Sequence, residues 1–213
     1  MITTKNLKLT RHLLLTIILL SSLGGCISLI DEPAPITVYS LRSSVTDNNP
    51  WPTATWSLTI IRPTTNAFLD SNRIAVRPKS NVMQVYKGVS WSDTLPDLLQ
   101  SHLVEAFENS GKIKSVSRQS SGVPADVALL LDVRQFEAVY LEGQTKPNVI
   151  IQIQAKVLEY PSNRVIASQT FSADVPAASK EIPDVVRAFE QGLNNNNQEI
   201  IAWTLANGRA KSK

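Results

Sequence analysis

Side chains equipped for chemistry are few in this 213-residue chain, and they lie far apart. The one cysteine, Cys26, closes the run Leu23-Gly24-Gly25-Cys26. A thiol can be acylated, can ligate a metal or can attack a substrate once ionised. Two histidines are present, His12 and His102. Triad chemistry needs an imidazole beside its nucleophile, and only His102 falls in a segment that reads as folded domain. It sits at the edge of a helical apolar stripe, where a histidine serves as a boundary residue of a packed helix. One imidazole and one thiol do not make a tetrahedral zinc site. Asp93 with Asp97, and Glu105 with Glu108, are spaced four and three apart. On a helix such pairs mark a solvated face or a first turn favoured by the dipole. Neither a GxGxxG run nor a Walker loop occurs. The sequence therefore predicts no catalytic residue, no cofactor and no metal.

The setting of Cys26 decides among the uses of its thiol. Upstream lie a basic head (Lys5, Lys8, Arg11), an apolar stretch over 13–20 and small residues just before the cysteine. That is the layout of a signal peptide over 1–25. The apolar stretch is shorter than the roughly 18–20 residues a spanning helix needs. The run ending in Cys26 resembles a bacterial lipobox, which implies cleavage before Cys26 and acylation of its thiol and amino group. Two or more acyl chains hold a protein stably, each buried methylene contributing about 0.8 kcal/mol. The next residue is Ile27 rather than Asp. By analogy with enterobacterial lipoproteins, this implies the inner leaflet of the outer membrane, with the domain facing the periplasm. Residues 26–35 read as a lipidated tether, polar and proline-containing, with a reach of about 30 Å.

Removing the leader also changes the charge. It takes three of the 21 basic residues and none of the 18 acidic ones, leaving 18 of each. The basic balance of the whole chain belongs to the leader, so nucleic acid is not an expected partner. With its thiol acylated, the mature chain forms no disulfide, and packing alone must hold it. Its length suits one domain, expected over 36–207 with a flexible tail over 208–213.

The elements that must position these residues follow from periodicity. Strands are expected over 36–42, over 56–62 and, as a hairpin, over 73–77 and 82–87. Residues 67–70 read as one helical turn, and 47–50 as a loop. A helix follows, capped by Ser92 or Asp93, with Pro96 in its first turn and Gly111 at its end. Leu95, Leu98, Leu99, Leu103, Val104 and Phe107 form its apolar stripe. Alternating strands are read over 126–133, 148–158 and 164–175, the last two joined by a turn at 161–163. A last helix runs over 180–207 with Val185, Val186, Phe189, Leu193 and Ile200 facing inward. Its four asparagines at 194–197 are poor helix formers and predict a kink or split. The fold class is α+β, a mostly antiparallel sheet with two long amphipathic helices packed on one face.

Four tryptophans remain to be placed. Trp51 lies beside two prolines, Trp56 opens a strand, Trp91 precedes the first helix and Trp203 sits on the last one. Trp203 is read as core, and Trp91 and Trp51 as contacts for a partner or lipid.

Several stretches taken together resemble one family: Thr37-Val38-Tyr39-Ser40-Leu41 shortly after the cysteine, Phe68-Leu69-Asp70, Arg73-Ile74-Ala75-Val76-Arg77, and Trp91-Ser92-Asp93-Thr94-Leu95 before a helix ending Asn109-Ser110-Gly111. In that order they are similar to the ABC-type transport auxiliary lipoproteins, the PqiC-like family. Tyr39 and Leu41 match its Tyr-x-Leu element, and Trp91 with Leu95 matches its tryptophan before the first long helix. The resemblance implies a non-catalytic outer-membrane lipoprotein. Its implied partners are an MCE-domain protein and an inner-membrane transporter, with which it would move lipids or other hydrophobic molecules and support envelope integrity. A second copy of the chain is a further candidate partner. Two alternatives stand beside this reading: a periplasmic carrier that itself binds lipid between helices and sheet, and a structural envelope lipoprotein without a transport role. Tyr39, Leu41, Trp51 and Trp91 are the candidate contacts, and Cys26 is the anchor.

Overall fold

Long alternations in the C-terminal half dictate the frame. A computed structural model of the chain describes residues 35–45, 50–160 and 162–208. The leader, Cys26, most of the tether, residues 46–49 and 161, and the tail beyond Gly208 lie outside the described residues. Strands β1 (Thr37–Tyr39), β2 (Ala54–Ile60), β3 (Thr64–Thr65), β4 (Ala75–Lys79), β5 (Val82–Val85) and β6 (Val89–Trp91) precede helix α1 (Leu95–Ser110). Then come β7 (Ile113–Arg118), a 3-10 turn (Gln119–Ser121), β8 (Val127–Val139), β9 (Asn148–Glu159), β10 (Arg164–Pro176) and helix α2 (Ile182–Asn207).

The sheet is mixed. An eight-stranded sheet runs β10-β9-β8-β2-β7, with β3 and β4 also on β8 and β5 on β4; β1 and β6 form a separate pair. Neighbours are antiparallel for β8–β9, β9–β10 and β4–β5. They are parallel for β2–β7, β2–β8, β3–β8, β4–β8 and β1–β6. Antiparallel pairing, expected for most of the sheet, holds between strands that follow one another in the chain. It fails between strands separated by several other elements, α1 among them for the partners of β7 and β8, since parallel neighbours need a long crossover.

Period two sends Leu129, Leu131, Val133, Ile151, Ile153, Ala155, Val157, Phe171 and Ala173 to the face that the helices cover, where all are buried. A bulge between Val133 and Gln135 shifts the parity of β8. Phe136 and Ala138 therefore return to the core face, 1% and 0% exposed. The strand consequently extends to Val139, beyond the expected end at 133.

Helix α1 begins one or two residues after the expected caps, at Thr94, with proline in its first turn. Gly111 closes it at φ 60°, its N–H reaching the Glu108 carbonyl; only glycine adopts that conformation without strain. Leu95, Leu98, Leu99, Leu103 and Phe107 are buried as the stripe predicts. Helix α2 is one unbroken element of 26 residues, so the asparagine run does not split it. Gly208 follows it where a Cβ would stand 2.4 Å from the Trp56 ring, a contact no other residue could make without displacing that indole.

Candidate functional site

The segment that leads from the tether into the fold is built from Ile36, Thr37, Val38 and Tyr39, β-branched or aromatic residues suited to extended backbone. They pair in parallel with β6, Thr37 opposite Val89 and Tyr39 opposite Trp91. The pairing is closed by the Thr37 N–H on the Gly88 carbonyl at 2.9 Å and the Ser92 N–H on the Tyr39 carbonyl at 2.8 Å. Alternation leaves Ile36 and Val38 outside, 64% and 59% exposed. Beyond β1 the chain continues as a strap whose Leu41 and Val45 are buried.

A side chain of α2 fastens this strap. Asn194 on α2 accepts from the Ser44 N–H through Oδ1 and donates from Nδ2 to the Arg42 carbonyl, both at 3.0 Å. One turn on, the Asn197 amide nitrogen stands 2.9 Å from His102 Nδ1 on α1. Three of the four asparagines, 194, 196 and 197, are buried. Asn194 and Asn197 offset their low helix propensity through these hydrogen bonds, whereas both side-chain amide atoms of Asn196 are buried without a partner among the described residues.

His102 is therefore not a boundary residue: it is 4% exposed, between the helices. Burial lowers the pKa of its imidazole below the ordinary value, partly opposed by the Arg42 backbone and by the charges of Glu105 and Glu190. Its ring partner is an amide, which joins α1 to α2 and neither supplies a nucleophile nor balances an imidazolium.

The expected contact residues divide into two pairs. Trp91 is 2% exposed and sits in the core rather than on a contact surface. Its ring packs edge-on against Phe189 of α2 at 5.3 Å and Phe136 of β8 at 6.1 Å, and those two stack at 4.9 Å. A tryptophan before a helix can bury 150–250 Å², and here that burial joins β6, β8 and α2. Leu41, 7% exposed, is likewise core. Tyr39 and Trp51 are partly buried, packed on the core with part of each ring outside. Trp203 meets Phe171 edge-on at 5.5 Å, in line with its expected packing role.

Asp97, one of the paired carboxylates, is committed elsewhere. Arg62 forks onto it through Nε at 2.8 Å and Nη2 at 3.0 Å, and Nη2 also reaches Asp70 at 3.0 Å. The Arg62 guanidinium, then the Thr94 hydroxyl, hold the Asp97 carboxyl below the usual range; Asp97 and Asp70 raise Arg62 in turn. This fork ties the end of β2 to the first turn of α1, a link that no spacing in the sequence announced. Asp93 accepts from the Thr94 N–H at 2.7 Å. Among the described residues no group of three His, Cys, Asp or Glu is placed to hold a metal ion, and no helix is long and apolar enough to cross a membrane.

This arrangement can fasten and present surfaces; it offers no primed nucleophile among the described residues. Residues 39–201 match the family model of the ABC-type transport auxiliary lipoprotein component. The chain belongs to that family. A solved structure, protein XCC0632 from Xanthomonas campestris, described as DUF330, is 40% identical with a TM-score of 0.76, covering 81% of this chain and 96% of that one. The hypothetical protein CT253 from Chlamydia trachomatis shares the fold at 9% identity and a TM-score of 0.50, covering 72% of this chain and 97% of its own. An uncharacterized protein, bll6063, of Bradyrhizobium diazoefficiens is 28% identical over 173 residues, 81% of this chain. The match spans 46% of that relative's length, about half. The resemblance drawn from Tyr39, Leu41, Trp91 and Leu95 is thus borne out at the level of the family. The family is described by a part in ABC-type transport, as an auxiliary lipoprotein component, rather than by an enzymatic reaction.

Proposed function

We propose that the protein is a non-catalytic, lipid-anchored accessory of an MCE/ABC-type intermembrane transport system, held by Cys26 on the inner leaflet of the outer membrane and facing the periplasm. It docks an MCE-domain protein, which with an inner-membrane transporter moves lipids or other hydrophobic molecules and supports envelope integrity. The observation that carries this reading is the fastening of the strap. A domain suspended by its N-terminus is loaded first on the segment after the tether, and Asn194 grips that segment at both Arg42 and Ser44. The buried Trp91–Phe136–Phe189 cluster supports docking over the carrier alternative, because aromatic rings fill the space where a lipid would have to lie between sheet and helices. Tyr39 and Trp51, each partly buried against the core, are the contact candidates that remain.

Photo-crosslinking residues placed at Tyr39 and Trp51 in cells test this. Capture of an MCE-domain protein supports the reading. Capture of no envelope protein from either position, or stoichiometric phospholipid in an acyl-free Cys26→Ala form, contradicts it.

A further inference from the structure

Among the described residues six large apolar side chains stand exposed, and Ile36 and Val38 are the most open of them. The other four, Val82, Val123, Leu141 and Val165, lie singly on separate strands and loops, as isolated apolar residues ordinarily do. Ile36 and Val38 stand two apart across the start of β1, and in extended backbone such a pair shares one side. Tyr39, of the other parity, packs on the core, and Leu41 is buried beyond it. The exposed pair is also the first part of the fold to follow the tether. Parallel register sets Thr37 opposite Val89, so Lys87 lies beside this same end of β1. Lys87 is exposed and forms no ion pair among the described residues.

We propose that this end of the domain rests on the bilayer that holds its anchor, with Ile36 and Val38 among the lipid headgroups and Lys87 against their phosphates. The inference rests on the proposed Cys26 anchor and adds an orientation to it. About ten residues, 26–35, separate the anchor point from Ile36, which confines the pair to within about 30 Å of the membrane surface. Tethering makes the contact intramolecular in effect, so a patch too small to hold a free partner is enough to orient the domain. Two aliphatic side chains fall far short of the roughly 800 Å² a side that a stable protein interface buries, which favours lipid over a second chain. Asp31 and Glu32 in the tether offset the charge of Lys87. The apolar pair, rather than net charge, therefore supplies the attraction.

The test uses the full chain reconstituted in vesicles of phosphatidylethanolamine and phosphatidylglycerol. With Cys26 acylated, Val38→Cys carries the one free thiol, and a nitroxide placed there reports its surroundings. Its relaxation by oxygen dissolved in the bilayer, relative to relaxation by a water-soluble nickel chelate, should exceed that of the same label at Val123→Cys at least about threefold. A label at Val38 as open to the chelate as the one at Val123 overturns the proposal. So does a label shielded from both reagents, because a protein then covers the pair. A chain that does not stay with the vesicles overturns the anchor as well, whereas an anchored chain with Val38 in water overturns this inference alone. Should the label disturb β1, Ile36→Asn with Val38→Asn gives a second reading, with the circular dichroism spectrum unchanged. A protease added outside the vesicles should then cut within 26–35 at least about threefold faster than in the wild type, and equal rates overturn the proposal.

Discussion

Strands β8, β9 and β10 keep their places through two long antiparallel ladders, each running a dozen residues or so with one face buried. The strap and β1 are kept differently: three register pairs on β6, two buried aliphatic side chains and the amide of Asn194. Long ladders spread stability over many weak, equivalent contacts, so single changes on their wet face should matter little. The strap concentrates it in a few side chains, and single changes there should be felt locally.

The largest expected effect lies where the two regions meet. Trp91→Ala removes the ring that joins β6 to Phe136 and Phe189 and should cost about 3–5 kcal/mol in urea unfolding. Leu99→Ala, beneath α1, should cost about 2–5 kcal/mol in the same measurement. Losses near zero would mean that the aromatic junction and the helix face do not hold the two regions together.

Asn194→Ala comes next. It leaves the Ser44 N–H and the Arg42 carbonyl without their partner, at a cost on the order of 1–3 kcal/mol. It should also quicken proteolysis within 40–45 while the long ladders stay protected in hydrogen exchange. The exposed neighbour Asn195→Ala should change stability by no more than a few tenths of a kcal/mol. Equal effects from the two would erase the distinction between strap and ladder.

Acidity should sharpen the contrast further. The folded state holds His102 below its ordinary pKa of 6.5, so the unfolded chain binds the extra proton first as pH falls. The stability that the neutral ring contributes is present above that value and is lost as pH drops below it. Thermal midpoints of the wild type should therefore fall between about pH 6.5 and 5 more steeply than those of His102→Gln. Parallel curves would deny His102 this role. The smallest effect is expected from Arg62→Gln, whose ion pairs are about half exposed and worth no more than about 1 kcal/mol.

The same contrast explains what could be read from the sequence. Clean alternation at Val127, Leu129, Leu131 and Val133, and in β9, identifies the ladders, and three- and four-residue steps identify α1. The second half of β8 was hidden because the bulge at Val133/Gln135 breaks the parity that periodicity depends on. β7 was missed because its residues are mostly polar and half-buried at a sheet edge. In the strap, propensity misleads: the asparagines at 194–197 look like a helix break, yet three are buried and two of those fasten a segment some 150 residues away in the chain and a histidine on the neighbouring helix. Trp91 was recognisable as a motif residue but not as core, since burial of a tryptophan depends on Phe136 and Phe189, which arrive from distant strand and helix. Arg62 gave no signal, because its carboxylate partners are remote in sequence.

The central claim is that this domain works while hanging from fatty chains at Cys26. It is tested most directly by the intact mass of the N-terminal peptide released from the membrane-bound protein. A peptide that begins at Cys26 and carries the added mass of a diacylglyceryl group and an N-acyl chain is the predicted result. A free thiol at Cys26, or a mature chain that begins elsewhere, would contradict it.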